Sequence, residues 1–282
     1  MIASGSESSK FWMKARKDSI IDIDFRKKAN GLPILSKVDI DVYAEALVSD
    51  FKPELLKIPG PMPIEEFIEL YLNLKVDYKN LSDDGNTLGM ITFNDGYVEV
   101  YDDRNNKELL EVEAGTIFID NALIDDEYQH GRCRFTFAHE PGHWIFHRHM
   151  YTINKKQTSL FDFDHEIQTV CHKCLKKHVG HMSKQNYFST DEDWREWQAD
   201  YFASALLMPK KSFKVAVEDC MSKQKISVDA FRVKSPGEMF FPSRQIIVNL
   251  AQLFDVSNQA AALRMYKLGY ISDQLISLQQ AI

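Results

Sequence analysis

The sequence predicts an α+β protein, with a small antiparallel sheet packed on a pair of helices and a helical subdomain behind them. Three observations carry that expectation. Short β-type runs crowd into residues 88–120, apolar residues at helical spacing flank them on both sides, and the segment 132–149, RCRFTFAHEPGHWIFHRH, suits a buried helix. The 282 residues suffice for one large domain with an appendage, and 44% apolar against 27% charged residues is ordinary for a globular chain. A net charge of −7 speaks against a general nucleic-acid-binding surface. No apolar run is long enough to suggest a membrane span, and the first residues, MIASGSESSKFWMKARKDS, lack the apolar stretch of a secretory signal. The four cysteines are too few for a disulfide scaffold, so a reducing, cytoplasmic setting is expected.

Residues 1–34 read as an N-terminal arm, Ser-rich and then mixed in charge, with a short alternation at 20–25 that suits a peripheral strand. From Val38, Tyr43, Ala44, Leu47, Val48 and Phe51 recur at helix spacing, and a second helix is expected to begin at Pro63. Runs at 88–93 and 97–101 flank Asn94-Asp95-Gly96, which predicts a hairpin because Asp-Gly suits a turn needing positive φ. In the second run Val98 and Val100 share one face, so a dry valine face and a wetter tyrosine face are expected. Strands at 109–112 and 115–120 complete the expected sheet. Thr190 with Asp193 resembles a capping box opening a helix that Pro209 stops. Further helices follow at 213–221, 245–254 and 257–268, the last ending at Gly269. The expected division is thus an arm (1–34), a main domain (35–209) and a C-terminal helical subdomain (210–282).

The chemistry centres on His139-Glu140-Pro141-Gly142-His143. Two histidines four apart share a helix face and can point at one ion, while the adjacent Glu140 can reach a water beside it. A catalytic zinc takes three protein ligands and leaves a position for water. Glu196 is the expected third ligand, with Asp200 one turn further on to accept a hydrogen bond from a ligating histidine. The rival is His149, ten residues after His139 as in the metzincin pattern, but Phe146 stands where that pattern needs a helix-breaking glycine. His147 is four from His143, on a face expected to have turned away from the ion. Pro141 removes the backbone hydrogen bond to Phe137 at about 3 kcal/mol, and a kink is expected there.

Arg134-Phe135-Thr136-Phe137-Ala138-His139-Glu140, then Glu196-Trp197-Gln198-Ala199-Asp200-Tyr201-Phe202-Ala203 and Leu206-Leu207-Met208-Pro209, resemble the ImmA/IrrE family of metallopeptidases. So does Gly115-Thr116-Ile117-Phe118-Ile119-Asp120. The resemblance implies a zincin-like domain and a zinc-dependent endopeptidase whose substrates are helix-turn-helix repressors. On that likeness His139, His143 and Glu196 hold one catalytic Zn²⁺, and Glu140 is the base. No helix-turn-helix is evident upstream, so a repressor substrate would be a separate chain. The strand around Gly115, Ile117 and Ile119 is expected to bind an extended peptide by edge pairing. The 53 positions from His143 to Glu196 suggest an inserted lobe holding Cys171, His172, Cys174, His178 and His181. Read as one continuous helix, that run could not wrap an ion, so no second zinc at Cys171 and Cys174 is expected. Residues 250–268 look like a helix-turn-helix with only Arg264 and Lys267 as basic groups on its second helix, so they read as a packing unit rather than a DNA reader.

Overall fold

A computed structural model describes residues 25–152, 171–175, 190–226 and 236–271 of the chain. Helix α1 (Lys37–Phe51) opens on a capping box in which Ser36 and Asp39 satisfy each other's backbone N–H groups. A short helix α2 (Ile64–Glu66) runs on into a wider turn at Phe67–Tyr71. Strands β1 (Lys75–Lys79), β2 (Thr87–Thr92), β3 (Gly96–Tyr101), β4 (Lys107–Val112) and β5 (Thr116–Asp120) follow. Then come a short α3 (Ala122–Asp125), the long α4 (His130–Thr152), β6 (Cys171–Leu175), α5 (Asp191–Leu207), α6 (Lys210–Lys223), α7 (Pro236–Phe254) and α8 (Asn258–Lys267).

The chain is α+β, but its main sheet is mixed rather than antiparallel. Its order is β1-β5-β2-β6, with β1 parallel to β5 and the other neighbours antiparallel. The hairpin expected across Asn94-Asp95-Gly96 does not form. β3 leaves the main sheet and pairs with β4 as a separate ribbon, while β2 lies between β5 and β6. Asp95 is used differently, its Oδ1 accepting from the Ala114 N–H at 2.9 Å and so closing the far end of that ribbon. Val98 and Val100 are buried against Met90 and Phe118 on one face of the sheet, and Glu99 lies exposed on the outer side of the ribbon. The opposite face carries Ile117 and Ile119 in the main core. β5 is therefore buried on both faces, which is why TIFID reads as a continuous apolar run.

β5 also has a neighbour along each edge, so the peptide-binding role expected of Gly115, Ile117 and Ile119 is corrected. No edge is free for pairing there. Gly115 is a packing glycine, with φ of 81° and a would-be Cβ only 3.0 Å from Leu74 and 3.3 Å from Trp144.

Helix α4 lies between the sheet and α5, touching β2, β5 and β6 on one side and α5 on the other. It runs unbroken through Pro141. Its start is anchored by Arg134, which donates to the carbonyls of Asp255 (2.8 Å) and Met62 (2.7 Å). The described end of the N-terminal arm is built into the same core: Leu32 is buried, and Phe25 meets Phe146 edge-on at 6.1 Å. The alternation at 20–25 lies, apart from Phe25, outside the described residues, as do His178 and His181. No helix among the described residues is long and apolar enough to cross a membrane.

Candidate metal centre

The site forms where α4 meets α5. Thr190 and Asp193 cap α5 reciprocally, with Asp193 N–H donating to Thr190 Oγ1 at 3.1 Å and Thr190 N–H to Asp193 Oδ2 at 2.9 Å. That fixes where the helix begins and hence which face Glu196 and Asp200 present. Close approach of the helices depends on Gly142: a Cβ there would stand 3.1 Å from the Ala199 Cα and 3.2 Å from the Phe202 ring. The middle of the HEPGH pentad thus packs on the middle of Glu196-Trp197-Gln198-Ala199-Asp200.

His139, His143 and Glu196 converge in this contact. The two Nε2 atoms are 2.9 Å apart, and the Glu196 carboxylate oxygens lie 3.6 Å from each of them. Ligands on a tetrahedral zinc stand about 3.3 Å from one another, so this triangle is close to that size. All three side chains are buried, and their donor atoms form a group that could hold a metal ion. Two neutral imidazoles and one carboxylate are a donor set that suits zinc.

The outer nitrogens explain why the Nε2 atoms face inward. His139 Nδ1–H donates to Asp200 Oδ1 at 3.0 Å. His143 Nδ1 lies 3.1 Å from His147 Nδ1, and His147 Nε2 lies 2.9 Å from Gln198 Oε1. Gln198 Nε2 donates to the Pro33 carbonyl at 2.9 Å, which leaves its Oε1 as an acceptor facing His147. Burial pulls the His147 pKa down to about 3, so this imidazole is neutral and carries one proton. That proton is on Nε2, donated to Gln198; the bare Nδ1 accepts from His143 Nδ1–H; and the His143 Nε2 lone pair is left for the ion. His147 had been expected to point away from the site. It does not reach the ion's position, but it sets the tautomer of a residue that does, and with Gln198 it is a functional contributor that spacing arguments missed.

Glu140 sits against β2. Its carboxylate is fully buried with no hydrogen-bond partner, and Gly89 makes room for it, since a Cβ at Gly89 would fall 2.7 Å from Glu140 Oε1. Burial raises its pKa to about 7, with His139 and His172 pulling the other way. Burial works against charge on His139, yet Cys174, Asp200 and Glu196 outweigh it and hold its pKa well above the usual histidine value, so a metal binding at its Nε2 would displace a proton and leave the imidazole neutral. His143 is driven well below it by burial and by the neighbouring His172 and His139.

The rival ligand His149 is elsewhere: its Nε2–H donates to the Gly31 carbonyl at 2.8 Å. The reading of Cys171 to Cys174 as helical is corrected, because these residues form strand β6, paired with β2. Strand alternation puts His172 and Cys174 on one face, buried towards the site, while Cys171 packs towards the Met90 and Phe118 cluster. The two cysteines therefore face opposite ways. His172 stacks on His143 with ring centroids 3.8 Å apart, and its Nε2 lies 2.9 Å from Glu196 Oε1 and 2.7 Å from Glu192 Oε1. Cys174 lies beside His139 and Glu140. A cavity of about 200 Å³ opens beside the centre, lined by Phe135, Asp200, Ser204 and Lys267 but by none of the three metal-facing residues.

Residues 154–266 match the family model of peptidase M78, described as the IrrE N-terminal-like domain. That stretch of the chain is similar to this domain. The matched stretch takes in β6, Glu196, Asp200 and helices α6 and α7, and it begins after the HEPGH pentad, so the two halves of the site fall on either side of its first residue. The M78 match makes this a metallopeptidase-like domain and supports the resemblance carried by the sequence blocks. No curated protein matches the chain.

Proposed function

We propose that this M78-type protein is a zinc-dependent endopeptidase of zincin-like design. The observation that carries the reading is the convergence of His139, His143 and Glu196 from two helices, with Glu140 buried and unpartnered beside them. His139 and His143 would hold zinc through Nε2, and Glu196 through its carboxylate. Bound there, zinc supplies a Lewis acid for the scissile carbonyl and lowers the pKa of a water towards neutrality. Glu140 takes the water's proton and passes it to the leaving amine, a task suited to a carboxylate whose pKa is raised towards 7. Asp200 and the His147–Gln198 pair hold the two imidazoles in the tautomers that leave Nε2 unprotonated. Burial around the centre keeps bulk water out and strengthens each of these interactions.

The substrate we propose, on the family resemblance, is a helix-turn-helix repressor supplied as a separate chain, whose cleavage would derepress a phage-like, mobile-element or stress regulon. The burial of Arg264 supports keeping direct DNA binding out of this proposal, since it is one of only two basic residues on its helix and is paired with Asp41 at 2.8 Å. The test is Glu140→Gln, assayed on a co-encoded repressor alongside metal analysis. The variant should keep its metal and lose turnover by about 10²–10⁴-fold. Full activity in that variant would remove Glu140 as the base and the peptidase reading with it.

A further inference from the structure

We propose that Cys174 is a fourth protein ligand at this centre and that β6 thereby holds the site closed in the resting protein. The inference rests on the zinc reading above. β6 lies along the outer edge of β2, with Cys174 opposite Gly89 and His172 opposite Ile91. Gly89 is also the residue whose missing side chain admits the Glu140 carboxylate, so Gly89, Glu140 and Cys174 meet at one point. The Cys174 sulfur, a His139 ring nitrogen and a Glu140 oxygen all lie within 4.8 Å of one another and form a second group able to hold a metal, sharing His139 with the first.

Cys174 is completely buried, yet its surroundings here are polar. A cysteine that only fills space sits among hydrocarbon, whereas this one faces an imidazole and a carboxylate. The Glu140 carboxylate is the independent sign of a ligand position, because it is buried, has no hydrogen-bond partner and is directed into the same space. His143 and Glu196 are not part of that second group, so the thiol has to move in for two imidazoles, a carboxylate and a thiolate to fill a tetrahedral zinc. Such a shell is of the closed kind, whereas a catalytic zinc keeps one position for water. On binding, the thiol gives its proton to solvent and its sulfur donates to the ion, with no change of oxidation state; opening reverses this. β6 also takes the edge of β2 beside α4, so an extended peptide could not pair there while β6 is in place. His172, stacked on His143 and bridging to Glu196, holds the strand in register.

The ligand set can be read without any activity assay. Zinc X-ray absorption on the full-length wild-type chain should show one sulfur at about 2.3 Å beside nitrogen and oxygen scatterers. With Co²⁺ as the probe, the wild type should show a near-ultraviolet sulfur-to-cobalt charge-transfer band that disappears in Cys174→Ser and persists in Cys171→Ser. A wild-type shell of nitrogen and oxygen alone overturns the proposal even if the serine variant does not fold, and so does a band that survives Cys174→Ser or is lost in Cys171→Ser. A chain that binds neither metal overturns the zinc reading itself, and this inference falls with it.

Discussion

His143 offers Nε2 to the centre because its other nitrogen is held by His147. Turning at 100° per residue, an α-helix brings a side chain four positions on to about 40° from its predecessor, and eight positions on to about 80°. His147 is thus one step away from His143 and two from His139, far enough to miss the ion's position and near enough to hold its ligand. Replacing it by leucine keeps the bulk but removes the acceptor for His143 Nδ1–H and strands Gln198 Oε1. His147→Leu should weaken zinc binding by about 10–100-fold, the usual cost of losing an outer partner of a metal ligand. Chelator competition on the folded variant measures this, and an unchanged affinity would mean that the relay has no hold on the site. At this scale the pentad was legible, because i and i+4 on one helix is a purely local relation. The relay was not, since it needs a glutamine from α5 and a carbonyl from the arm.

At the scale of elements, the decisive contact is α4 on α5 across Gly142. The would-be Cβ is already tight against Ala199 and Phe202, and a valine adds two methyl groups in that direction. Gly142→Val should wedge the helices apart, lower stability by about 1–3 kcal/mol and draw Glu196 away from the histidines. Chemical denaturation together with zinc retention on dialysis checks both effects; a variant as stable and as metal-retentive as the wild type would show that the helices have slack. The two helices themselves were readable, α5 down to its capping pair, because caps and apolar periodicity are local. Strand partners were not. Asn94-Asp95-Gly96 reports that the chain turns, and it says nothing of whether β3 pairs with β2 or, as observed, with β4. The five residues of β6 carry no usable pattern, and their extended form comes from pairing with β2.

For the whole molecule, one core cluster runs from Leu35 to Ile271. It is crossed by a buried polar tie: Arg264 on α8 donates to Asp41 on α1 at 2.8 Å and to the Met208 carbonyl at 3.0 Å, and Tyr201 on α5 donates to Asp41 at 3.1 Å. Three helices distant in sequence, one of them the bearer of Glu196, are joined by two opposite charges out of reach of water. Removing one partner leaves the other buried and unpaired, so Asp41→Ala should cost about 3–5 kcal/mol, whereas replacing both by Asp41→Leu with Arg264→Met should recover most of that loss. Urea unfolding of the single and double variants decides it. A single variant costing under about 1 kcal/mol would put the pair on a par with a surface bridge.

Residue spacing alone was enough to place a histidine pair and a carboxylate on one helix, to cap a second helix bearing Glu196 and Asp200, and to make the valine face of the ribbon dry. Each of these depends on neighbours within a few turns. The approach of the two helices, the proton relay behind His143, the burial of Arg264 and the position of Cys174 against Glu140 came from packing between segments far apart in the chain. Spacing carries no record of such contacts, since they follow from how whole surfaces fit.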